Sequence, residues 1–563
     1  MGARTSPSEA SEQCYASAMH KSLIALFALA AAVPAFGPAS ADTLVDNVNG
    51  IQVDASGKLE RFTGILVGDD GKVLHVLHGE KFKLRDGTNV VDGAGRTMLP
   101  GLIDAHGHVM GLGFMALQLD LTGTKSLGEL QARLKAYAAA NPGGGWILGR
   151  GWNQENWTDR SFPTAADLDA IVGDRPVWLG RVDGHASVAN SAAMKAAGVT
   201  TATRAPEGGE IIDGLFVDKA EELVSKFIPA PTPTAQDAAL AKAQELMLSV
   251  GLTGAADMGT DADGWAAMNR AGVGGTLNVR IMNYAGGIAA MKAINGGRPS
   301  EWLYGDRLHL GGVKLYTDGA LGSRGAWLKA PYHDKPDTRG LRFLSDAELQ
   351  AQAEAAAAGG YQLAIHAIGD AANAQVIGAY EQLNAKHKGD RRWRIEHLQI
   401  ADPADLKRLK PAGIIASMQP THQTSDRTMA EARLDPARLK GAYAWATIER
   451  MGVPLAFGSD FPVEHPNPFP GLSAAVSRQD PNGQPPGGWR REERVSFATA
   501  LNGFTRGAAY AGFAEGRIGS LEPGKWADFI LVDRDVATVD QKALAATKVL
   551  ETWVAGKRVF SAK

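Results

Sequence analysis

Between residues 98 and 515, short apolar runs rich in β-forming residues alternate with Ala-rich stretches typical of helices. This rhythm favours βαβ units and a parallel sheet, because each parallel strand needs a long crossover connection. The sequence predicts nine candidate strands, at 98–104, 177–182, 252–257, 278–283, 309–316, 361–366, 393–397, 414–419 and 454–459. It predicts helices at 346–358, 370–386, 403–410 and 496–511.

One candidate strand does not fit this rhythm. The stretch 110–235 is far longer than one βα unit, and it carries the Trp- and Pro-rich segments "GWILGRGWNQENW" and "FIPAPTPT". We therefore assign 177–182 to an inserted lid region. The remaining eight strands predict an α/β fold, a TIM-like (β/α)8 barrel over 98–515 with a large insertion after strand 1.

Both ends of the chain read as short strands joined by turns. Residues 42–97 contain the turn signals "DASGK", "GDDGK" and "RDGT", and residues 516–563 contain "GSLEPGKWADFILVD" followed by "VLETWVAGKRVF". Each end is too small to bury a core alone. We therefore predict that 42–97 and 516–563 build one composite β-sandwich beside the barrel, the alternative being two independent terminal hairpins.

Residues 1–41 have the layout of a secretory signal peptide. A basic start at His20 and Lys21 precedes an apolar stretch and a small-residue cleavage site that ends at Ala41. The signal begins at Met19, which suggests a mis-set start codon upstream; the alternative is a disordered extension. We therefore expect a secreted, periplasmic protein. Cleavage also removes Cys14, the only cysteine, which excludes thiolate metal ligands and a cysteine nucleophile.

Charge and hydropathy exclude several classes of partner. The formal net charge is -3, and the basic residues are scattered rather than clustered. Such a distribution gives no footprint for nucleic acid and no patch for a membrane surface. No stretch after the signal is long and apolar enough to span a bilayer, so no stable membrane anchor is expected.

Two histidines one residue apart, His106 and His108, follow the first apolar run in "MLPGLIDAHGHVM". Residues i and i+2 of a strand point to the same face, so the two imidazoles can hold one metal ion. Taken alone, the pair could equally be hydrogen-bonded histidines in a loop.

Other polar residues end or interrupt later strands in the same way. His366, His397 and Asp460 each end an apolar run, and Lys314 lies inside another. The carboxyl ends of barrel strands form one mouth, where the active sites of such barrels lie. Imidazole and carboxylate ligands suit zinc, and also iron, nickel or manganese. The sequence therefore predicts a hydrolase metal centre with the ligands His106, His108, Lys314, His366, His397 and Asp460.

Asp460 and Lys314 each allow two interpretations. Asp460 is either a turn or N-cap aspartate, or a catalytic carboxylate that takes a proton from metal-bound water. Lys314 is costly inside an apolar strand unless it is paired. It either forms a salt bridge with Asp318 or is carboxylated by carbon dioxide and bridges two metal ions.

Polar residues in the lid and in the loops after strands 4 and 7 are candidate substrate contacts. His185, although it lies in the lid, could also bind a metal. Glu396 precedes His397 on one strand and is expected to point away from it. The predicted substrate contacts are Arg181, Asp183, His185, Tyr316, Asp318, Arg324, Gln419 and His422.

The segments "PGLIDAHGH", "VDGHASVANS", "VKLYTDGALGSRGA", "HAIGD", "RIEH", "FGSDFPV" and "GSLEPGKWADFILVD" run in order through nearly the whole chain after residue 41. In these segments the chain resembles the metal-dependent amidohydrolase superfamily, specifically amidohydrolase family 3, which is similar to N-substituted formamide deformylases. The resemblance implies a barrel with a composite β-sandwich and a metal-activated hydroxide. Lys314 matches the lysine that is carboxylated in binuclear members.

The resemblance implies hydrolysis of a C–N bond in a small amide, formamide or cyclic amide, not a peptide. It implies one or two divalent ions, most simply zinc, with two if Lys314 is carboxylated. A heterocycle deaminase, or a lactonase or other esterase, would use the same site. A secreted metal- or ligand-binding protein without turnover is the alternative of a different class. Family members often form homodimers, and that expectation stays open.

Overall fold

A computed structural model describes residues 41–80, 83–181, 186–206 and 209–563. The predicted signal peptide, apart from its last residue, and the predicted contacts Asp183 and His185 lie outside the described residues.

The described residues form 24 strands, which we number in chain order. They are β1 (Thr43–Asp46), β2 (Asn49–Val53), β3 (Leu59–Phe62), β4 (Gly64–Val67), β5 (Val73–Leu77), β6 (Asn89–Asp92), β7 (Thr97–Pro100), β8 (Leu102–Gly107), β9 (Leu119–Asp120), β10 (Ile147–Trp152), β11 (Val177–Arg181), β12 (Ala186–Ala189), β13 (Gly209–Ile212), β14 (Leu215–Asp218), β15 (Leu252–Thr260), β16 (Arg280–Gly286), β17 (Leu308–Tyr316), β18 (Gln362–Ala367), β19 (Arg394–His397), β20 (Ile415–Met418), β21 (Leu455–Phe457), β22 (Phe529–Val532), β23 (Val549–Val554) and β24 (Lys557–Ser561).

The same residues form 17 α-helices besides five short 3₁₀ helices. They are α1 (Val109–Leu117), α2 (Leu127–Ala140), α3 (Ala165–Asp169), α4 (Ser191–Ala196), α5 (Glu222–Ser225), α6 (Pro233–Ser249), α7 (Ala262–Val273), α8 (Gly287–Ala293), α9 (Asp346–Ala358), α10 (Asp370–Lys386), α11 (Pro403–Leu409), α12 (Pro420–Arg433), α13 (Trp445–Arg450), α14 (Pro468–Ser477), α15 (Phe497–Gly503), α16 (Arg506–Ala511) and α17 (Gln541–Ala545).

Eight parallel strands form the central sheet, in the order β21-β20-β19-β18-β17-β16-β15-β8. Its two edges meet through backbone hydrogen bonds, from Asp460 N–H to the His106 carbonyl at 2.7 Å and from His108 N–H to the Phe461 carbonyl at 2.7 Å. The predicted (β/α)8 barrel is thereby confirmed. These closing bonds also bring Asp460 beside both histidines of the first strand.

The predicted strand 98–104 is two strands that belong to different sheets. β7 pairs with β22 of the C-terminal segment, whereas β8 is the first strand of the barrel. The chain changes sheets at Gly101, where a Cβ atom would lie 2.1 Å from Thr253 Oγ1. An apolar run by itself does not reveal this change, because both halves are buried.

Strands from both ends of the chain share one six-stranded sheet, ordered β24-β23-β22-β7-β2-β3. A four-stranded sheet, β5-β4-β1-β6, packs with it around a common core that includes Val45, Ile65, Phe529 and Trp553. Each end therefore buries its apolar face against the other. The prediction of a composite β unit is correct, and independent terminal hairpins are not formed.

The insertion after β8 has its own sheet and its own cores. Its six strands are ordered β13-β14-β12-β11-β10-β9, and β11 includes most of the predicted strand 177–182. Leu130, Ile147 and Trp152 are fully buried in one of its apolar clusters. The segment returns to the barrel through α6, which packs on α1 and leads into β15. Within the described residues, no helix has the length and apolar character needed to cross a bilayer.

Helices predicted from the sequence begin and end where local chemistry requires it. Ser345 and Glu348 form a reciprocal capping box at the start of α9, and the helix packs Leu349 and Ala353 inward. The predicted helix 496–511 is two helices, α15 and α16, because Thr505 has non-helical torsion angles of −135° and −99° between them.

Gly113 lies in α1 where that helix touches α6, and an added Cβ atom would lie 1.9 Å from the Ala239 carbonyl oxygen. Gly113→Ala is therefore expected to destabilise the fold by about 1–3 kcal/mol, because the backbone of α6 has to move. Gly128 is the matched control: it is an exposed helical glycine whose added Cβ would lie 3.8 Å from Ser126 Oγ. Gly128→Ala is expected to be neutral or to stabilise by up to ~1 kcal/mol. Urea unfolding measures the change in unfolding free energy for both variants. Equal changes in Gly113→Ala and Gly128→Ala would contradict the argument that Gly113 is needed for close packing of α1 on α6.

Candidate metal centre

Asp460 lies at the centre of the barrel mouth, among imidazoles from different strands. Its Oδ1 atom lies 3.1 Å from His108 Nε2 and 3.4 Å from His106 Nε2. Its Oδ2 atom lies 3.8 Å from His422 Nε2. The ligand atoms of His106, His108 and Asp460 all lie within 4.8 Å of one another, close enough to share one cation.

The rings of His397 and His366 extend the cluster that includes His106. The ring centroids of His106 and His397 are 4.7 Å apart, and those of His397 and His366 are 4.5 Å apart. Residues 106, 366 and 397 come from three different strands, β8, β18 and β19. The (β/α)8 topology therefore brings together side chains that are almost 300 residues apart.

Hydrogen bonds on the far side of two rings orient them for ligation. His106 Nδ1 lies 2.6 Å from Glu396 Oε2, and His397 Nδ1 lies 2.8 Å from Gln419 Oε1. Both partners are oxygen acceptors, so each Nδ1 carries the proton and each Nε2 keeps its lone pair. Such acceptors behind a ligating imidazole are a usual part of protein metal sites.

Several buried polar atoms around the mouth have no hydrogen-bond partner. They include Asp460 Oδ1, His366 Nε2 and His422 Nε2. Burying a polar atom without a partner costs free energy, so such atoms normally have a protein, water or ion partner. All three are oxygen or imidazole nitrogen donors, which fit a borderline divalent cation such as zinc.

The protonation states of the ligands also suit a cation. Burial and the nearby Lys314 lower the pKa of His106 to about 4, and burial lowers the pKa of His397 well below its ordinary value. Burial alone would raise the pKa of Asp460, but the imidazoles of His106 and His108 hold that pKa well below its usual range. At neutral pH the imidazoles of His106 and His397 are therefore neutral and the Asp460 carboxylate is ionised.

Lys314 points its amine at the same centre. Its Nζ atom lies 3.2 Å from His106 Nε2 and 4.8 Å from the centroid of the Tyr316 ring. Burial lowers the pKa of Lys314 to about 8, so an appreciable fraction of the amine is neutral near pH 7. The Asp318 carboxylate accepts the backbone N–H groups of Trp327, Ile368 and Gly369, and its Oδ1 atom lies 3.4 Å from His366 Nε2.

Two residues of the centre have left-handed backbone torsions, with φ of 74° at His397 and 61° at Asp460. The expectation that Glu396 points away from His397 is wrong. Glu396 is fully buried and hydrogen-bonds His106, whose ring contacts that of His397. In a regular strand, successive side chains point to opposite faces. The positive φ at His397 breaks this alternation, so the side chains of Glu396 and His397 both reach the His106 ring.

Three buried charged residues behind the candidate ligands have no predicted role in the site: Arg394, Glu396 and Asp104. Arg394 pairs with Glu396, with Nε 2.7 Å from Oε1, and both are fully buried. Burial opposes the charge of Glu396, but Arg394 and His106 outweigh it and lower the pKa of Glu396 to about 2. The sequence does carry a sign of this buried pair, because the segment "RIEH" places two opposite charges inside one buried strand.

The third of these residues is Asp104, which fastens the Asp460 loop to β8. Its carboxylate accepts Ser459 Oγ–H at 2.7 Å and the backbone N–H groups of Ser459 and His106. Burial raises the pKa of Asp104 to about 7 despite these hydrogen bonds.

The predicted substrate contacts are found in different surroundings. Tyr316 is partly exposed beside His366, with ring centroids 5.5 Å apart. Arg324 pairs with Asp334 at 2.7 Å. Arg181 of the insertion donates to Gln154 at 2.9 Å, within the same region. Gln419 and His422 lie in the centre itself, as described above.

Comparison with known proteins agrees with this geometry. A model of the amidohydrolase family, Amidohydro_3, matches residues 89–560. This chain belongs to the amidohydrolase family. The resemblance to amidohydrolase family 3 stated above is thereby confirmed, and the chain is a hydrolase of a metal-dependent family.

Three relatives align over most of their length. The chain is 34% identical to protein LONG AFTER FAR-RED 3 of Arabidopsis thaliana, over 92% of both chains. It is 32% identical to the putative amidohydrolase YtcJ of Bacillus subtilis (strain 168), over 87% of this chain and 95% of the relative. It is 27% identical to the N-substituted formamide deformylase of Arthrobacter pascens, over 83% and 89%.

A solved structure shares the fold over almost its full length. This is an uncharacterized metal-dependent hydrolase from Pyrococcus horikoshii OT3, with a TM-score of 0.76 and 28% sequence identity. The match covers 89% of this chain and 99% of that one.

Proposed function

We propose that this amidohydrolase cleaves the C–N bond of a small amide, formamide or cyclic amide, and not of a peptide. The observation that carries the proposal is the position of the Asp460 carboxylate, whose Oδ1 atom lies 3.1 Å from His108 Nε2 and 3.4 Å from His106 Nε2. The relative named N-substituted formamide deformylase supports the choice of an amide-type bond.

The proposed ligands of the metal are His106, His108, Lys314, His366, His397 and Asp460. When bound there, a divalent ion, for which we propose zinc, would lower the pKa of water and polarise a carbonyl. Asp460 Oδ1 then takes a proton from the attacking water and returns it to the leaving nitrogen. The products are a carboxylic acid and an amine. Glu396 and Gln419 hold the rings of His106 and His397 in position throughout.

Tyr316 is the best-situated substrate contact on the open side of this centre. Burial raises the pKa of Tyr316 to about 12, so its hydroxyl stays protonated at neutral pH and can donate to a substrate oxygen. The leader-like residues 1–41 support export to the periplasm, where amides that enter from outside would be the substrates.

Metal removal is expected to abolish hydrolysis. Dialysis against a chelator should remove activity on a panel of N-formyl, N-acyl and cyclic amides, and Zn²⁺ should restore it, because the attacking water needs a bound cation to lower its pKa. Acid and amine release are measured together. Ammonia release without acid would instead indicate the deaminase, and turnover of esters alone the lactonase or esterase. Metal-replete protein without turnover on any substrate would indicate a binding protein.

Lys314 is expected to be carboxylated when bicarbonate is present. Its amine is buried, has a lowered pKa and lies beside His106, so its neutral form can add carbon dioxide. Native mass spectrometry of the metal-loaded protein should find the added mass of one carbon dioxide. Lys314→Ala should lack that mass, whereas Lys329→Ala, which removes a surface lysine paired with Asp402, should keep it. An unmodified wild-type protein would contradict this proposal.

A further inference from the structure

A chain of polar side chains crosses the barrel core away from the mouth. It consists of Tyr284 on β16, Gln362 at the start of β18 and Arg394 at the start of β19, and all three are buried. Tyr284 belongs to an otherwise apolar cluster that includes Met282 and Ile415. Polar groups in such surroundings cost free energy unless every member of the network has its hydrogen-bond partners.

The hydrogen bonds of this chain can run in only one direction. Arg394 can only donate, so its Nη1 atom, 2.9 Å from the Tyr284 hydroxyl, makes that hydroxyl an acceptor. The tyrosine proton is then donated to Gln362 Oε1 at 2.6 Å. Gln362 Nε2 in turn donates to the backbone carbonyls of Arg392 at 2.6 Å and Ala511 at 2.9 Å. The side chains of Tyr284 and Gln362 therefore have all their donors paired.

Gly312 on β17 makes room for this chain. In the barrel sheet Tyr284 pairs with Gly312, and Gly312 pairs with Gln362 on the next strand. A Cβ atom at position 312 would lie 2.0 Å from Tyr284 Cδ1, so the tyrosine ring occupies the space over β17. The ring reaches Gln362, two strands away, because position 312 has no side chain.

The other end of the chain reaches a candidate metal ligand. Arg394 donates from Nε to Glu396 Oε1 at 2.7 Å and from Nη2 to Glu396 Oε2 at 3.2 Å. The same Oε2 atom lies 2.6 Å from His106 Nδ1. The Arg394 guanidinium therefore sets the position of the carboxylate that orients the His106 ring, and Tyr284 holds the third guanidinium nitrogen, Nη1.

We propose that Tyr284 and Gln362 are positioning residues for the metal ligand His106, and that they act through Arg394 and Glu396. Without the tyrosine hydroxyl, a buried N–H group of Arg394 has no acceptor, and the guanidinium is drawn toward other acceptors. The Glu396 carboxylate then moves with it, and the His106 ring is no longer held in one orientation. The proposal rests on the proposed function only in assuming that His106 binds a metal.

Cobalt binding to the full chain tests this proposal without relying on activity. Tyr284→Phe should raise the Kd for Co²⁺ by about 3–10-fold, less than the 10–100-fold usual for a direct partner of a ligating imidazole. Isothermal titration calorimetry of the metal-stripped protein measures the Kd, and circular dichroism verifies that each variant is folded.

Tyr380→Phe is the matched control for Tyr284→Phe. Tyr380 is also fully buried, but its hydroxyl donates to the backbone carbonyl of Arg394 at 2.7 Å and not to the guanidinium chain. The control removes the same atom beside the same residue and should leave the Kd for Co²⁺ unchanged. A wild-type Kd in Tyr284→Phe, or an equal rise in Tyr380→Phe, would overturn the proposal.

Gln362→Met tests the chain from its far end. It removes the acceptor of the Tyr284 proton and should raise the Kd for Co²⁺ by a smaller factor than Tyr284→Phe does. The double variant should bind Co²⁺ as Tyr284→Phe does, because Gln362 reaches Arg394 only through the tyrosine. Effects that multiply in the double variant would contradict a single chain. If Tyr284→Phe does not fold, Gln362→Met decides alone, and a wild-type Kd would count against the proposal.

The amide panel separates this proposal from the proposed function. Weaker cobalt binding by Tyr284→Phe but not by Tyr380→Phe, with no turnover of any amide by the wild type, would leave the positioning role standing and remove the amidase proposal. Turnover of amides by the wild type, with the same Kd for Co²⁺ in Tyr284→Phe, would do the reverse.

Discussion

Asp460→Asn is expected to lower kcat by about 10²–10⁴-fold, the contribution usual for a positioned general acid–base. Asparagine keeps the size and one carbonyl oxygen of the side chain but cannot take a proton from water or return one to the leaving nitrogen. The variant should therefore still bind at least one equivalent of metal. Kinetics on the best amide substrate, together with metal analysis of the same sample, measure both quantities.

Asp70→Asn is the control for that variant. Asp70 is an exposed turn residue between β4 and β5 whose carboxylate accepts the Lys72 N–H at 3.0 Å, a role that asparagine can fill. It should keep wild-type kcat. An Asp460→Asn protein with normal kcat would remove the proposed proton-transfer role, and one without metal and without turnover would make Asp460 a ligand alone.

Arg394→Met is expected to cost about 3–5 kcal/mol of unfolding free energy, because it leaves the Glu396 carboxylate buried without its counter-charge. The loss is larger than for an ordinary ion pair, since the Arg394 guanidinium also donates to the Ala105 carbonyl at 2.6 Å and to Ser417 Oγ at 3.0 Å. Chemical denaturation of the metal-loaded protein measures the change.

Arg408→Met is the comparison, because Arg408 is more than a third exposed and pairs with Glu381 and Asp405, and pairs that water screens contribute about 0–1 kcal/mol each. The double variant Arg394→Met with Glu396→Gln should recover part of the loss, since the unpaired charge is then gone. A small effect of Arg394→Met, similar to that of Arg408→Met, would mean that Glu396 has another source of stabilisation.

The barrel was predictable because its strands are short apolar runs buried on both faces, and Ala-rich helical stretches alternate with them. Helices α9 and α10 begin and end at the predicted residues, 346–358 and 370–386. Where the prediction failed, the apolar pattern carried no information. Residues 98–103 carry no charge, yet the predicted strand is divided between two sheets at Gly101, where there is no room for a Cβ atom beside Thr253.

The candidate ligands were predictable in kind but not in arrangement. His106, His108, His366, His397 and Asp460 were found because polar side chains end apolar strands, and strand ends of a barrel share one mouth. Glu396 was placed incorrectly because strand alternation assumes regular torsions, and His397 has a positive φ. His422 was recognised as a candidate, but its distance from Asp460 Oδ2 depends on how α12 begins.

The amino-acid sequence by itself determined the alternation of strands and helices in the barrel, the set of candidate ligand side chains and the family, because these depend on periodicity and on residue types at strand ends. Only the tertiary structure decided which atoms face one another: that barrel closure brings Asp460 to His106 and His108, that Glu396 and Arg394 form a buried pair behind the site, and that α12 brings in His422. Such contacts depend on backbone torsions and on packing between distant segments, and no local pattern encodes either of them.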